Sequence, residues 1–361
     1  DHFSEPNMAT IFDAMAPGEI SWKAQGLTPV GILAELALTP SNLPSIDARV
    51  AALQALVEPA RQGDDGAISA LAGSMQDWHA KIRQTALEAL SEVAVRGDRR
   101  VVYARLEAVQ SLASPARRGK SKALEAIRSA LKDEHVAVRL AAAEELAKIA
   151  IENDSSDAAE LAGKLFALQA LATASDEAAA LSLDAMCKCL TDWHARIRDV
   201  AAKLLQEIVV KGGIAASKAL EAFLPLALEG DQRAVSIMCD ACSTSLGRQA
   251  LGSLVQVALV DTARADGLSA KVAAMKTLSK ELLAQPCKMS SRDQEAVATV
   301  LVMCAQHWHA DLRSPALDAL CQLAEATHGR GPCGQAALTA LMSSRQPVAM
   351  RCLQKLSQST S

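Results

Sequence analysis

The chain has 361 residues, half of them hydrophobic and only 2 % aromatic, with 37 basic and 41 acidic side chains for a formal net charge of -4. A core of Ala and Leu with almost no Phe or Tyr suits closely packed helices and argues against β-sheet, which draws on branched and aromatic residues. So balanced a charge creates no long-range field for a polyanion, and global nucleic-acid affinity is not expected.

Residues 1–45 carry scattered anchors at Phe3, Phe12 and Trp22, while Pro6, Pro17, Pro29, Pro40 and Pro44 break any long helix. Residues 30–38 alone read as a short helix. The segment is an irregular N-terminal extension, either a cap over the first repeat or an arm that docks on a partner. The first residue is Asp rather than Met, so the chain reads as processed, trimmed or represented only in part, a removed targeting peptide being one such case. No apolar run approaches 18 residues and no basic stretch leads into an apolar one, so neither a membrane span nor an intact secretory signal is expected.

From residue 46 the chain repeats itself. Asp77, Trp78, His79, Ala80, Lys81, Ile82 and Arg83 recur as Asp192 to Arg198 and again as His307 to Arg313, each 115 residues on. Between the first two lies Asp133 to Arg139, with Glu134 in place of Trp, and a worn copy with Leu246, Gly247, Ala250 and Leu254 stands where a fourth is due. A second helix type alternates with this one, beginning near Arg49, Arg105, Lys164, Ala219 and Lys271. The unit is about 57 residues and reads as three helices, for example 100–113, 120–131 and 135–151, with Gly, Asp and Ser at the junctions. Five units and a partial sixth, recognisable at Val348, Ala349, Met350 and Arg351, fill residues 46–361.

One helix explains why the units must stack. Ile82, Ala86, Leu90 and Val93 form an apolar stripe at helical spacing, while Lys81, Gln84, Glu88 and Glu92 lie elsewhere. Ala89 and Ala94 widen the apolar surface without bulk. Asp77 is placed to cap the helix by accepting from a free N–H of its first turn. No single unit can bury so much surface alone.

Asp, then Ile or Val, Arg, Ala and Leu at these spacings resemble the HEAT repeat, especially the short HEAT-like repeats also found in phycobilin lyases. The resemblance covers about 315 residues and implies an all-α fold, an α-solenoid of the HEAT or armadillo-like kind. It also implies that the turn Asp and helix Arg tie adjacent repeats together, pairing Asp77 with Arg83, Asp133 with Arg139 and Asp192 with Arg198. Trp replaces the usual Pro after the Asp, His307 replaces Asp before Arg313, and Gly247 replaces Arg.

The recurring histidines His79, His135, His194 and His309 invite a metal hypothesis. Helices pack roughly 8 to 10 Å apart, too far for equivalent atoms one unit away to converge at about 2 Å on one ion. No metal or cofactor is expected. Nine cysteines, including Cys187, Cys189, Cys239 and Cys242, all follow residue 186 and read as reduced thiols of an intracellular protein, cytoplasmic or organellar. Residues 96–122 hold eight basic side chains, Arg96, Arg99, Arg100, Arg105, Arg117, Arg118, Lys120 and Lys122, a surface for an acidic partner or RNA phosphates. A solvated loop is the plainer expectation, since Tyr103 alone offers base stacking.

Trp78, Trp193 and Trp308 recur only every second unit. Three antiparallel helices per unit would reverse the chain direction from one unit to the next, so that one edge returns after 115 residues, with successive Trp-His pairs roughly 30 Å apart at 8 to 10 Å per layer. An armadillo-like third helix would restore direction each time and leave Glu134 unexplained. A Trp packed across a helix junction is the commoner case, and a binding Trp the alternative. The expected function is a non-catalytic scaffold or accessory subunit whose partners are other proteins, with no small molecule expected. A phycobilin-lyase-like enzyme or chaperone is the alternative, resting on fold analogy alone.

Overall fold

The computed structural model describes residues 28–39, 45–98, 100–152, 157–260, 265–284, 289–328, 330–344 and 346–359. Phe3, Phe12, Trp22 and Arg99 lie outside them. All the described elements are helices, and none is long and apolar enough to cross a membrane. The chain divides into two compact units, residues 1–204 and 205–361.

The first unit contains α1 (Pro29–Leu38), α2 (Ile46–Ala55), α3 (Val57–Arg61), α4 (Asp65–Ser74), α5 (Ala80–Arg96), α6 (Val102–Arg117), α7 (Ser121–Ala130), α8 (Val136–Glu152), α9 (Ala158–Leu171) and α10 (Ala179–Cys189), and the start of α11 (Ala195–Lys211). Helices α6 to α8 match the three read from the sequence to within a few residues. Helices α2 and α3 are one rod interrupted at Leu56. Its cause is Pro59, which has no N–H to offer Ala55 O and whose ring crowds that carbonyl.

Helix α1 belongs to the array. Thr28 Oγ1 caps it by accepting from Gly31 N at 3.1 Å, and Leu33, Leu36 and Ala37 are buried where it packs on α2 and α4. The stretch read as an irregular extension therefore contributes one rod of the stack.

Packing follows a single rule: each rod touches the next and the next but one. That rule makes two layers, α1, α4, α6, α8 and α10 in one, α2 with α3, α5, α7 and α9 in the other. Junctions therefore alternate between two edges. The α4/α5 junction with Trp78 and the α10/α11 junction with Trp193 share an edge, and the α7/α8 junction with Glu134 lies on the other. The three-helix sequence unit thus reverses direction at each copy, as its 115-residue echo suggests, and no third helix restores it.

The predicted stripe forms the core: Ile82, Ala86, Leu90 and Val93 are fully buried, and Ala89 and Ala94 nearly so. Each Leu or Ile so buried contributes about 1.5–3 kcal/mol, while the alanines let helices approach from both sides. Gly119, at φ +72°, turns α6 into α7 where any Cβ would collide with the Ala159 carbonyl oxygen. Only Gly allows that approach.

The second unit holds α12 (Ile214–Leu228), α13 (Gln232–Ala241), α14 (Gly247–Leu259), α15 (Ala265–Ala284), α16 (Ser291–Ala305), α17 (Ala310–Thr327), α18 (Gly331–Ser343) and α19 (Pro347–Ser359). The same contact rule holds, so the α13/α14 junction and the α16/α17 junction with Trp308 lie on opposite edges of this unit. The worn copy has a local cause. Helix α14 begins at Gly247, the position matched to Arg83 three residues inside α5, and a Cβ there would stand 2.6 Å from Cys242 O.

Candidate functional site

The repeated junctions are the candidate site, and their geometry corrects two expectations. Asp77 is not the cap of α5. His79 is, its Nδ1 accepting from Lys81 N at 3.3 Å, while Asp77 Oδ1 accepts from His79 N at 2.7 Å. Nor does the Asp77 carboxylate pair with Arg83, whose Nη1 donates to the Asp77 and Trp78 carbonyls at 2.7 and 2.8 Å.

The partner of Asp77 is Arg49 of α2, with the two side chains 7 % and 2 % exposed. Arg49 also donates from Nε and Nη2 to Ala37 O at 3.1 and 2.8 Å. Burial raises the Asp77 pKa, but the His79 N–H and the Arg49 guanidinium together hold it below the usual carboxylate value.

The arrangement recurs. Arg105 Nη2 donates to Asp133 Oδ1 at 3.1 Å and its Nη1 to Asp98 O at 2.6 Å, while Arg139 Nη1 donates to the Asp133 and Glu134 carbonyls and its Nη2 to Glu177. Lys164 Nζ donates to Asp192 Oδ2 at 2.9 Å, and Arg198 Nη1 to the Asp192 and Trp193 carbonyls. Each buried cation stands 28 residues before its carboxylate. Those pairs, not the helix arginines of the motif, tie one rod to the next junction.

In the second unit the matching positions, again 28 residues apart, are Ala216, which is buried, and Thr244, whose Oγ1 accepts from Leu246 N at 3.2 Å as Asp77 does from His79 N. One copy on, buried Lys271 matches Arg49, and His307 stands for the Asp, its Nδ1 accepting from His309 N at 3.1 Å. Arg313 Nη1 reaches Trp308 O at 3.3 Å.

The tryptophans do not pack across the junctions. Trp78, Trp193 and Trp308 are 61 %, 53 % and 80 % exposed. Each meets the following His edge to face, at centroid distances of 5.3, 5.3 and 5.1 Å, and Trp308 also stacks on His307 at 5.7 Å. His194 and His309 accept at Nδ1 from backbone N–H groups two residues on, as His79 does. An Arg thus holds each Trp carbonyl and a His the turn after it, and the ring projects outward from a fixed backbone. An open groove of about 590 Å³ beside Trp193 is lined by Ile151, Lys188, Cys189, Thr191, Asp192 and the indole.

The basic cluster of residues 96–122 is not one patch. Arg96 and Arg100 sit at the α5/α6 junction and Arg105 is buried against Asp133. Arg117, Arg118, Lys120 and Lys122 lie at and beyond the far end of α6, about 24 Å away at 1.5 Å per residue. Arg117 lies against Glu145 and Glu152, and Lys122 pairs with Glu88. Tyr103 hydrogen-bonds to Asp65, which pushes its hydroxyl up to about 12.

Cys187 and Cys189 lie within α10 and Cys239 within α13, with Cys242 at its C-terminal end. Cys189 Sγ donates to Ala150 O and Cys242 Sγ to Met238 O. Burial pushes their thiols up to about 11 and about 12, away from nucleophilic or metal-binding thiolates.

No family model and no curated protein matches the chain. Among solved structures it is similar to an engineered protein, 18 % identical with a TM-score of 0.30, covering 92 % of this chain and 99 % of that one. The TSC2 N-terminus matches at 12 % identity and a TM-score of 0.43, over 92 % and 94 % of the two chains. A homology model of the full-length AP-3 complex matches at 12 % and 0.37, over 91 % of this chain and 56 % of that one. The all-α repeat architecture rests on the chain's own described helices and their stacking.

Proposed function

We propose that the chain is a non-catalytic scaffold or accessory subunit that holds partner proteins along the edge of its first unit bearing Trp78 and Trp193. The observation that supports this is the exposure of both indoles, 61 % and 53 %, on backbones held by hydrogen bonds from Arg83 and Arg198. A rigidly presented indole offers a large apolar face with a polar handle, the side chain favoured where binding energy concentrates. Trp308 makes an equivalent projection in the second unit. Reduced, buried thiols suit a cytoplasmic or organellar setting.

The test compares proteins retained by the wild-type chain with those retained by a Trp78→Ala/Trp193→Ala variant, alongside the melting curve of each. Loss of a defined set of partners with an unchanged melt is the expected result. An identical set, or visible tetrapyrrole absorbance in the purified protein, would count against a scaffold and for lyase-like chemistry in the second case.

A further inference from the structure

None of the described cysteines is in a disulfide, but two of them lie on neighbouring helices. Cys321 lies on α17 and Cys352 on α19, helices in direct contact, and the two thiols are near enough for Cys352 to bear on the ionisation of Cys321. A second contact fixes the register: Lys355 Nζ pairs with Glu325 Oε1 at 2.9 Å, one turn further along both helices in the same direction. The helices are therefore parallel, as next-but-one members of a two-layer stack must be. Cys352 is 6 % exposed while Cys321 is partly open to solvent, so Cys321 is the more reachable thiol. The within-helix pair differs. Cys239 and Cys242 are three residues apart on α13 and at its end, where Cβ atoms stand about 5–6 Å apart, beyond the roughly 3.5–4.5 Å that a disulfide spans.

We infer that Cys321 and Cys352 form a reversible disulfide that staples α19, the last described helix, to α17, with a small disulfide such as oxidised glutathione as the oxidant. The Cys321 thiolate attacks one glutathione sulfur, breaking the glutathione S–S bond and releasing one glutathione thiolate. The Cys352 thiolate then attacks Cys321 Sγ in the mixed disulfide and expels the second glutathione. Two thiol protons leave for water or the departing thiolates, the cysteine pair is oxidised by two electrons, and one glutathione disulfide is reduced to two thiols. Burial, the neighbouring Cys352 thiol and nearby Asp318 and Glu325 hold the Cys321 thiol up at about 12. The thiol is therefore protonated at neutral pH, where exchange is slow, and exchange is faster in mild alkali.

The test oxidises the folded full-length chain with oxidised glutathione and maps its tryptic peptides without reduction. Trypsin places Cys321 in peptide 314–330, Cys333 in another, and Cys352 in peptide 352–355, so the linkage is unambiguous. The expected product is the 314–330/352–355 disulfide, reversed by dithiothreitol. Amide exchange in α19 should slow by up to several hundred-fold, the order that chain-entropy arguments give for closing a loop of this length. Cys352→Ser should instead stop at a glutathione adduct on Cys321. A wild-type chain of unchanged circular dichroism in which both cysteines remain alkylatable, in which the adduct on Cys321 persists, or in which either pairs elsewhere, overturns the inference without relying on the variant.

Discussion

Replacing Asp77 by Asn keeps the side chain's shape and the acceptor for the His79 N–H, but removes the negative charge beside a guanidinium that is 2 % exposed. Arg49 keeps its two bonds to Ala37 O, yet its charge is then buried without a counterion. Removing one partner of a buried pair costs about 3–5 kcal/mol. The lower end applies here, since the Asn oxygen still faces the guanidinium. The loss should stay in the first unit, because a repeat array's stability is a sum of neighbour terms. Urea denaturation followed by circular dichroism measures it, run as a cycle with Arg49→Met and the double variant. Removing both charges approximates what the chain itself does at Ala216 and Thr244, so the double change should cost less than the two single changes together, by about 0.5–3 kcal/mol. A stability within about 0.5 kcal/mol of wild type for Asp77→Asn, or strict additivity in the cycle, would refute the buried ladder as a source of stability.

The same carboxylate sets an acid limit: its folded pKa lies below 3.8, so its stabilisation is complete above the unfolded value and drains away as pH falls through the folded one. Stability measured from about pH 5 down to pH 2 should fall more steeply for wild type than for Asp77→Asn, and parallel curves would sink the assignment. Trp193→Ala should cost under about 1 kcal/mol, well short of the 3–5 expected of a core Trp, and a loss in the core range would mean that the indole is packed. His194→Ala should cost about 1 kcal/mol of cap energy while His194→Asn stays near wild type; equal losses would show that the imidazole does something other than cap.

What the sequence revealed and what it hid have physical reasons. The stripe of Ile82, Ala86, Leu90 and Val93 was legible because helical periodicity reports burial directly. The reversal of direction was legible in Trp78, Glu134 and Trp193, whose alternation only two layers explain. The partner of Asp77 was not read, because Arg83 lies six residues away in the motif while Arg49 lies on an earlier rod. Arg83 starts from the first turn of α5 and reaches back to the junction carbonyls, which leaves the carboxylate for the buried cation. A signal existed all the same: Arg49, Arg105 and Lys164 each stand 28 residues before Asp77, Asp133 and Asp192, and the cation and anion vanish together at Ala216 and Thr244. Linear clustering misled at residues 96–122, where a helix of 16 residues separates charges that look adjacent. Exposure of the tryptophans could not be read, since a packed and a projecting indole leave the same local sequence.

Stacking alone needs only that every second rod be alike, whereas the sequence repeats every third rod, so a side chain matters to an edge only once in six rods. Glu134 marks the place where the motif comes round on the wrong side. Its carbonyl is held by Arg139 at 3.0 Å, as Trp78 O is by Arg83, so the backbone there would project an indole equally well. Moving the Trp is therefore a test of the edge rather than of the local motif. A chain carrying Glu134→Trp together with Trp78→Glu and Trp193→Glu should fold with an unchanged melt, since all three positions are exposed. It should nevertheless lose the partners of the wild-type chain, because its indole stands on the opposite edge beside a groove lined by Arg96, Asp98, Lys132 and Asp133 instead of the one beside Trp193. If capture survives the transplant, recognition reads the Trp and its junction alone, and the shared edge that the two layers create has no part in binding.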